Sequence, residues 1–162
     1  MDDGPTPETT EADHGDLAEL QRQSFARAGR AVRSSLPEER HLTGNQLSQF
    51  LDRHRFACAA TTRPNGKPHA AMTSYVRSGT VFWLPTMAGT VRARNIQAQP
   101  WMSVIVTEGE DEHHIAVTAE GPAKVVGLDD IPEELHTPSW ATCWIQMTPA
   151  RLFSYAGTSA PI

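Results

Sequence analysis

The sequence predicts one mostly β domain, built from six antiparallel strands with helices at its flanks. Six short stretches are rich in β-branched and aromatic residues or alternate between apolar and polar ones, which suits strands. Two hairpin signals, Pro64-Asn65-Gly66 and Ser78-Gly79, join neighbouring stretches. A length of 162 residues suits a single domain.

The first part of the chain predicts a tail and a peripheral helix. Residues 1–15 are rich in Pro, Thr, Glu and Asp with almost nothing apolar, so a disordered acidic tail is expected. Asp16 can cap a helix running to about Ser35, with a thin apolar stripe broken by Gly29. Residues 16–42 are interpreted as this helix and a linker. The alternative is a helix that packs across a dimer or covers a pocket.

Residues 43–157 are interpreted as the β domain. A capping box at Thr43–Gln46 starts its first helix. A second helix is predicted between the third and fourth strands, and a short one from Asp130. The predicted strands are 56–62, 69–77, 80–84, 101–107, 115–126 and 144–148.

The stretch 82–96 predicts an anion site. It reads as a strand that Pro85 ends, a turn at Gly89, and a helix over 91–98 that Thr90 caps. The N-terminus of a helix has free N–H groups and a partial positive charge, so a phosphate fits there.

Four side chains of this stretch are candidate phosphate ligands. Thr86 and Thr90 offer hydroxyl donors, and Arg92 offers a two-pronged donor in the first turn. Arg94 lies roughly 200° further around the helix, so it either reaches a second oxygen or makes a structural pair. The alternative interpretation is a helix start with ordinary surface arginines.

Four segments, in order, resemble the pyridoxamine 5′-phosphate oxidase-like split-barrel family. The family run T-x-x-G-[ST]-x-[KR]-x-R-N-[LI], followed by a proline, is matched by Thr86-Met87-Ala88-Gly89-Thr90-Val91-Arg92-Ala93-Arg94-Asn95-Ile96 and Pro100. The other three similar segments lie within 59–75, 117–126 and 145–151.

The resemblance implies a six-stranded antiparallel split β-barrel that forms a homodimer. It implies FMN at the subunit interface, or in some branches the deazaflavin coenzyme or a haem-derived ligand. The backbone of the second strand would read the pyrimidine edge, and Trp140 would cover the partner's ring unless it is plain packing. The implied cofactor-binding residues are Met72, Thr73, Ser74, Tyr75, Pro85, Thr86, Thr90, Arg92, Arg94 and Trp140.

The chain departs from the family pattern at three places. Arg92 replaces the commonest phosphate lysine, Trp101 replaces an arginine after the proline, and the C-terminal R-x-H signature of true pyridoxamine phosphate oxidases is absent. The function implied is an FMN-binding oxidoreductase that moves a hydride to or from a small organic substrate. The alternatives are a deazaflavin-dependent reductase and a non-catalytic flavin or tetrapyrrole carrier.

No residue is assigned as catalytic. The sequence shows no Ser/His/Asp motif, so a bound cofactor would carry the reaction. No metal site is predicted either, because the adjacent His113 and His114 would point to opposite faces of a strand.

Charge and composition exclude several partners. Net charge is −5, but seven of the 19 acids fall in the first twenty residues, so the remainder is nearly neutral and offers no basic face for nucleic acid. No apolar run approaches the roughly 20 residues that cross a membrane. The acidic N-terminus lacks a signal core, and Cys58 and Cys143 form no C-x-x-C pair, so a cytoplasmic location is expected.

Overall fold

The computed structural model describes residues 11–162, and residues 1–10 lie outside the described part. The helices are α1 (Glu11–Arg27), α2 (Arg30–Ser35), α3 (Gly44–Arg53) and α4 (Val91–Ala98). The strands are β1 (Phe56–Thr62), β2 (Pro68–Ser74), β3 (Val76–Ser78), β4 (Val81–Thr86), β5 (Trp101–Glu108), β6 (Ile115–Gly127), β7 (Cys143–Met147) and β8 (Arg151–Ala156).

The strands form one antiparallel sheet with the order β2-β1-β5-β6-β7-β4-β3, and β8 pairs with β6 outside this path. The 13-residue strand β6 belongs to both halves of the sheet. Its first part pairs with β5 and β8, and residues 123–127 pair with β7. The sheet therefore curls into two half-barrels that share one long strand, which confirms the predicted antiparallel split barrel with flanking helices.

Alternating residues of the strands fill the barrel, because successive side chains of a strand point to opposite faces. In β6, for example, Ile115, Val117 and Ala119 are buried. Helix α3 adds Leu47, Phe50 and Leu51 to the same core. The remaining strand residues of this core are Ala57, Ala59, Phe82, Leu84, Met102, Val104, Val106, Ala123, Ile145, Met147, Leu152 and Ala156.

The strand predictions need three corrections. The second predicted strand is two strands, β2 and β3, because the chain leaves the β1 ladder after Tyr75 and pairs with β4 instead. Pro85 does not end β4, which continues to Thr86 by pairing with β7. Strand β3 pairs with β4 only at Val81–Trp83, so no strand lies beside Pro85 on the β3 side of β4. A proline, which lacks an N–H donor, is tolerated at such an unpaired edge. Strand β8 was not predicted.

The helix predictions are partly confirmed. Thr43 makes the predicted capping box with Gln46, and α4 has the predicted bounds. Residues 11–15, which were expected in the acidic tail, are the first turns of α1, and the helical segment is interrupted at Ala28 and Gly29. No helix follows Asp130; a single 3-10 turn, Leu128–Asp130, precedes it.

The start of α1 packs closely against the start of α3 at Gly44. A Cβ atom added there would lie 2.2 Å from the backbone oxygen of His14. We therefore expect Gly44→Ala to force the two helices apart at a cost of roughly 1–3 kcal/mol. This corresponds to a melting temperature lower by about 3–10 °C, measured by thermal unfolding.

Gly15→Ala is the matched control for this substitution. Gly15 lies in α1 with nothing within 4 Å of an added Cβ, so alanine should stabilise the helix slightly. Equal melting temperatures for Gly44→Ala and the parent would show that residues 11–15 do not pack on α3.

Candidate functional site

The candidate site lies where β4 meets α4, around a segment that we name the anion loop, residues 86–90. Pairing of Pro85 with Trp144 and of Thr86 with Cys143 fixes the start of the loop. Met87, Ala88 and Gly89 are exposed, and Gly89 has a φ of 87°, which favours glycine. Thr90 then begins the helix.

The N-terminus of α4 points free backbone donors at this loop. The Thr90 Oγ1 accepts a hydrogen bond of 3.3 Å from the backbone N–H of Ala93. The N–H groups of Val91 and Arg92 are in the first turn, so no carbonyl of the helix is placed to accept hydrogen bonds from them. These two donors and the positive end of the helix dipole can therefore hold an anion.

Arg92 is the cation of the site. Its side chain is half-buried, and its Nε donates a 3.1 Å hydrogen bond to Thr86 Oγ1, which lies 3.1 Å from Thr90 Oγ1. No carboxylate within the described residues pairs with it. Burial lowers the pKa of the guanidinium, which still stays charged at neutral pH. A half-buried cation without a counter-ion is a site to which an anion is attracted.

The structure brings Thr86, Thr90 and Arg92 together and leaves Arg94 out. Arg94 is exposed, and its side chain has no hydrogen bond or ion pair to any residue in the range 11–162. Of the two arginines, only Arg92 bonds to Thr86, as expected for side chains about 200° apart on a helix. The structural pair considered for Arg94 is not found among the described residues.

Strand β2 offers backbone groups at the open edge of the sheet, since β1 is its only strand partner in the described part of the chain. The Tyr75 N–H donates to the Arg55 carbonyl at 3.0 Å. Hydrogen-bonded pairs alternate along an antiparallel ladder, so Thr73 also faces β1. The N–H and C=O groups of Met72 and Ser74 therefore point to the open edge.

The side chain of Tyr75 belongs to the core. Its ring packs against Phe82 at a centroid distance of 5.5 Å, and its hydroxyl donates to the Leu51 carbonyl at 2.6 Å. Burial raises the pKa of this phenol, and the charge of Asp52 adds to the effect. Its backbone N–H is occupied as well, so Tyr75 is placed to support the fold.

Trp140 lies two residues before Thr142, which is hydrogen-bonded to the anion loop. Its side chain is 49% exposed. Two residues later, Thr142 bonds to the loop twice: its Oγ1 accepts from the Ala88 N–H at 2.9 Å, and its N–H donates to the Thr86 carbonyl at 3.0 Å. Sequence reasoning missed Thr142, because it is 54 residues from Ala88 in the chain and lies in no motif.

Two kinds of feature are not found in the described part of the chain. Among residues 11–162, no group of three or more His, Cys, Asp or Glu side chains is placed to hold a metal ion. Within the same range, no helix has the length and apolar character needed to span a membrane.

The shared long strand and the helix-capped anion loop place this protein in the class of split-barrel proteins. The family model described as pyridoxamine 5′-phosphate oxidase matches residues 43–155, which is most of the chain. The chain therefore belongs to this family. No curated protein sequence matches it significantly.

Several solved structures share the fold at low identity. A conserved hypothetical protein from Mycobacterium tuberculosis is 19% identical, with a TM-score of 0.64 over 75% of this chain and 89% of the other. A FAD-binding protein from Mesorhizobium loti is 18% identical, with a TM-score of 0.56 over 71% and 93%. HutZ, the heme storage protein from Vibrio cholerae, is 16% identical, with a TM-score of 0.57 over 70% and 93%.

Proposed function

We propose that this protein is an FMN-binding oxidoreductase that moves a hydride to or from a small organic substrate. One observation carries the proposal: Arg92 is half-buried, has no ion-pair partner among residues 11–162, and lies against Thr86 at the open end of α4. A phosphate there would receive hydrogen bonds from the guanidinium, from the first N–H groups of the helix and from whichever of the two threonine hydroxyls does not donate to the other. FMN carries such a phosphate at the end of its ribityl chain, and its isoalloxazine ring performs hydride transfer.

The other residues can be given roles in this proposal. The backbone N–H and C=O groups of Met72 and Ser74 at the open edge of β2 would form hydrogen bonds with the pyrimidine edge of the ring. Donors and acceptors alternate along the strand edge and along the pyrimidine edge alike. Trp140 is half-exposed and would cover the ring of the partner subunit's cofactor. The deazaflavin coenzyme, which also carries phosphate, would use the same anion loop.

We also propose a homodimer formed through the outer face of strands β1, β2 and β5. The side chains on this apolar face neighbour one another across the strands: Cys58 pairs with Met72 and with Ile105, and Ala60 pairs with Ala70. Large apolar side chains exposed together mark an interaction surface. Those on this face are Phe56 (63% exposed), Met72 (65%) and Trp101 (49%).

A non-catalytic carrier is the second candidate. The side chains that bond around the anion loop are threonines, Arg92 and the buried thiol of Cys143, whose Sγ–H donates to the Thr86 carbonyl at 3.8 Å. None of them is a histidine or a carboxylate, the commonest general acids and bases. The fold is shared with a heme storage protein as well as with a FAD-binding protein. A flavin or tetrapyrrole could therefore be held without turnover.

The absorption spectrum of the purified protein separates these candidates. FMN binding predicts flavin bands near those of the free cofactor, whereas a tetrapyrrole predicts an intense Soret band. Addition of NADH or NADPH should then bleach the flavin bands if the protein is an oxidoreductase that these donors reduce. A Soret band and no affinity for added FMN would contradict the proposal.

A further inference from the structure

Thr142 ties the anion loop to the segment that carries Trp140. The Ala88 N–H donates to Thr142 Oγ1 at 2.9 Å, and the Thr142 N–H donates to the Thr86 carbonyl at 3.0 Å. The second bond belongs to the end of the β4–β7 ladder, which continues from the pair Thr86–Cys143. The first bond reaches into the loop itself.

The middle of the loop has little else to hold it. Met87 is 49% exposed, and Ala88 and Gly89 are also on the surface. The Thr90 N–H donates to the Met87 carbonyl at 3.2 Å, but this bond is internal to the loop. In the described part of the chain, the bond from Ala88 to Thr142 is the one that fixes Met87–Gly89 from outside.

We propose that Thr142 is a positioning residue for the phosphate site. Its hydroxyl sets the path of the backbone at Ala88, and hence the directions of the N–H groups of Met87 and Gly89 on either side. The Ala88 N–H is itself used up by this bond, so it is not a phosphate ligand. The inference rests on the proposed function, because it gives the loop an anion to receive.

The test compares Thr142→Val, which keeps the shape of the side chain, with Thr142→Ser, which keeps the hydroxyl. Loss of one hydrogen bond should weaken binding of FMN and inorganic phosphate by about three- to tenfold. Riboflavin affinity should stay within twofold of the parent, and Thr142→Ser should restore phosphate binding. In the ligand-free protein, amide exchange at Ala88 should become faster in Thr142→Val.

Thr148→Val is the matched control, because Thr148 is exposed and its side chain has no bond to any described residue. Parent-like phosphate affinity in Thr142→Val would overturn the inference and leave the proposed function intact. Equal losses for FMN and riboflavin, together with a large fall in melting temperature, would also overturn it by showing a purely structural role. A parent protein that binds neither FMN nor phosphate would overturn the proposed function, and the inference with it.

Discussion

Replacing Arg92 with alanine should weaken FMN binding by about one to two orders of magnitude. Arg92 is half-buried against Thr86 and has no counter-ion within residues 11–162, so its charge is available to a ligand phosphate. A charge-assisted hydrogen bond contributes roughly 1.5–3 kcal/mol, and about 1.4 kcal/mol is a tenfold change in affinity. Calorimetric titration of the variant with FMN measures the loss.

Riboflavin and Arg94 supply the controls. Riboflavin has no phosphate, so Arg92→Ala should change its affinity far less than that of FMN. Arg94→Ala removes an exposed arginine two positions along the same helix and should have the smaller effect on FMN. Equal losses for both ligands would mean that Arg92 supports the fold, and a larger loss in Arg94→Ala would mean that Arg94 holds the phosphate.

Phe56→Arg should dissociate the proposed homodimer. Phe56 lies on the apolar face and is 63% exposed, so a charge there disturbs a monomer little. Truncating a hot-spot residue of an interface weakens the binding free energy by roughly 2 kcal/mol or more. A two-fold symmetric interface contains each substituted residue twice, so the loss is doubled. The dimer dissociation constant should therefore rise by about a thousandfold, as measured by sedimentation equilibrium.

Val32→Arg is the matched control for surface charge. Val32 is 37% exposed and belongs to α2, which is not one of the elements of the apolar face. This variant should remain as dimeric as the parent. A parent protein that is monomeric at micromolar concentration, or Phe56→Arg that stays fully dimeric, would refute the interface.

Most elements of the fold were predictable, because the interactions that start a helix or form a hairpin involve residues only a few positions apart in the sequence. The capping box at Thr43 and the cap at Thr90 depend on neighbours three positions away, and both are present. Strand β8 was missed because its exposed Arg151 and partly exposed Phe153 and Tyr155 hide the alternation, and its pairing with β6 is long-range. The prediction that Pro85 ends β4 was wrong, because a proline is tolerated in a strand where its missing N–H faces no neighbouring strand. Which edge of β4 lacks a neighbour is set by the tertiary fold and not by the local sequence.

The grouping of side chains at the candidate anion loop was predictable in part, because it too depends on residues that are near one another in the chain. Thr86, Thr90 and Arg92 lie within seven residues, and helix geometry alone separated Arg92 from Arg94. The role of Tyr75 was not predictable, because its burial depends on contacts with Leu51 and Phe82.

Titration of the unmutated protein with FMN and with riboflavin tests the central claim most directly, since the two ligands differ only in the phosphate. The anion loop predicts that FMN binds at least tenfold more tightly, on the order of one charge-assisted hydrogen bond or more. Inorganic phosphate should reduce this difference by competing for the same donors. Equal affinities for the two ligands, or an FMN affinity that phosphate does not change, would contradict the phosphate site at Arg92.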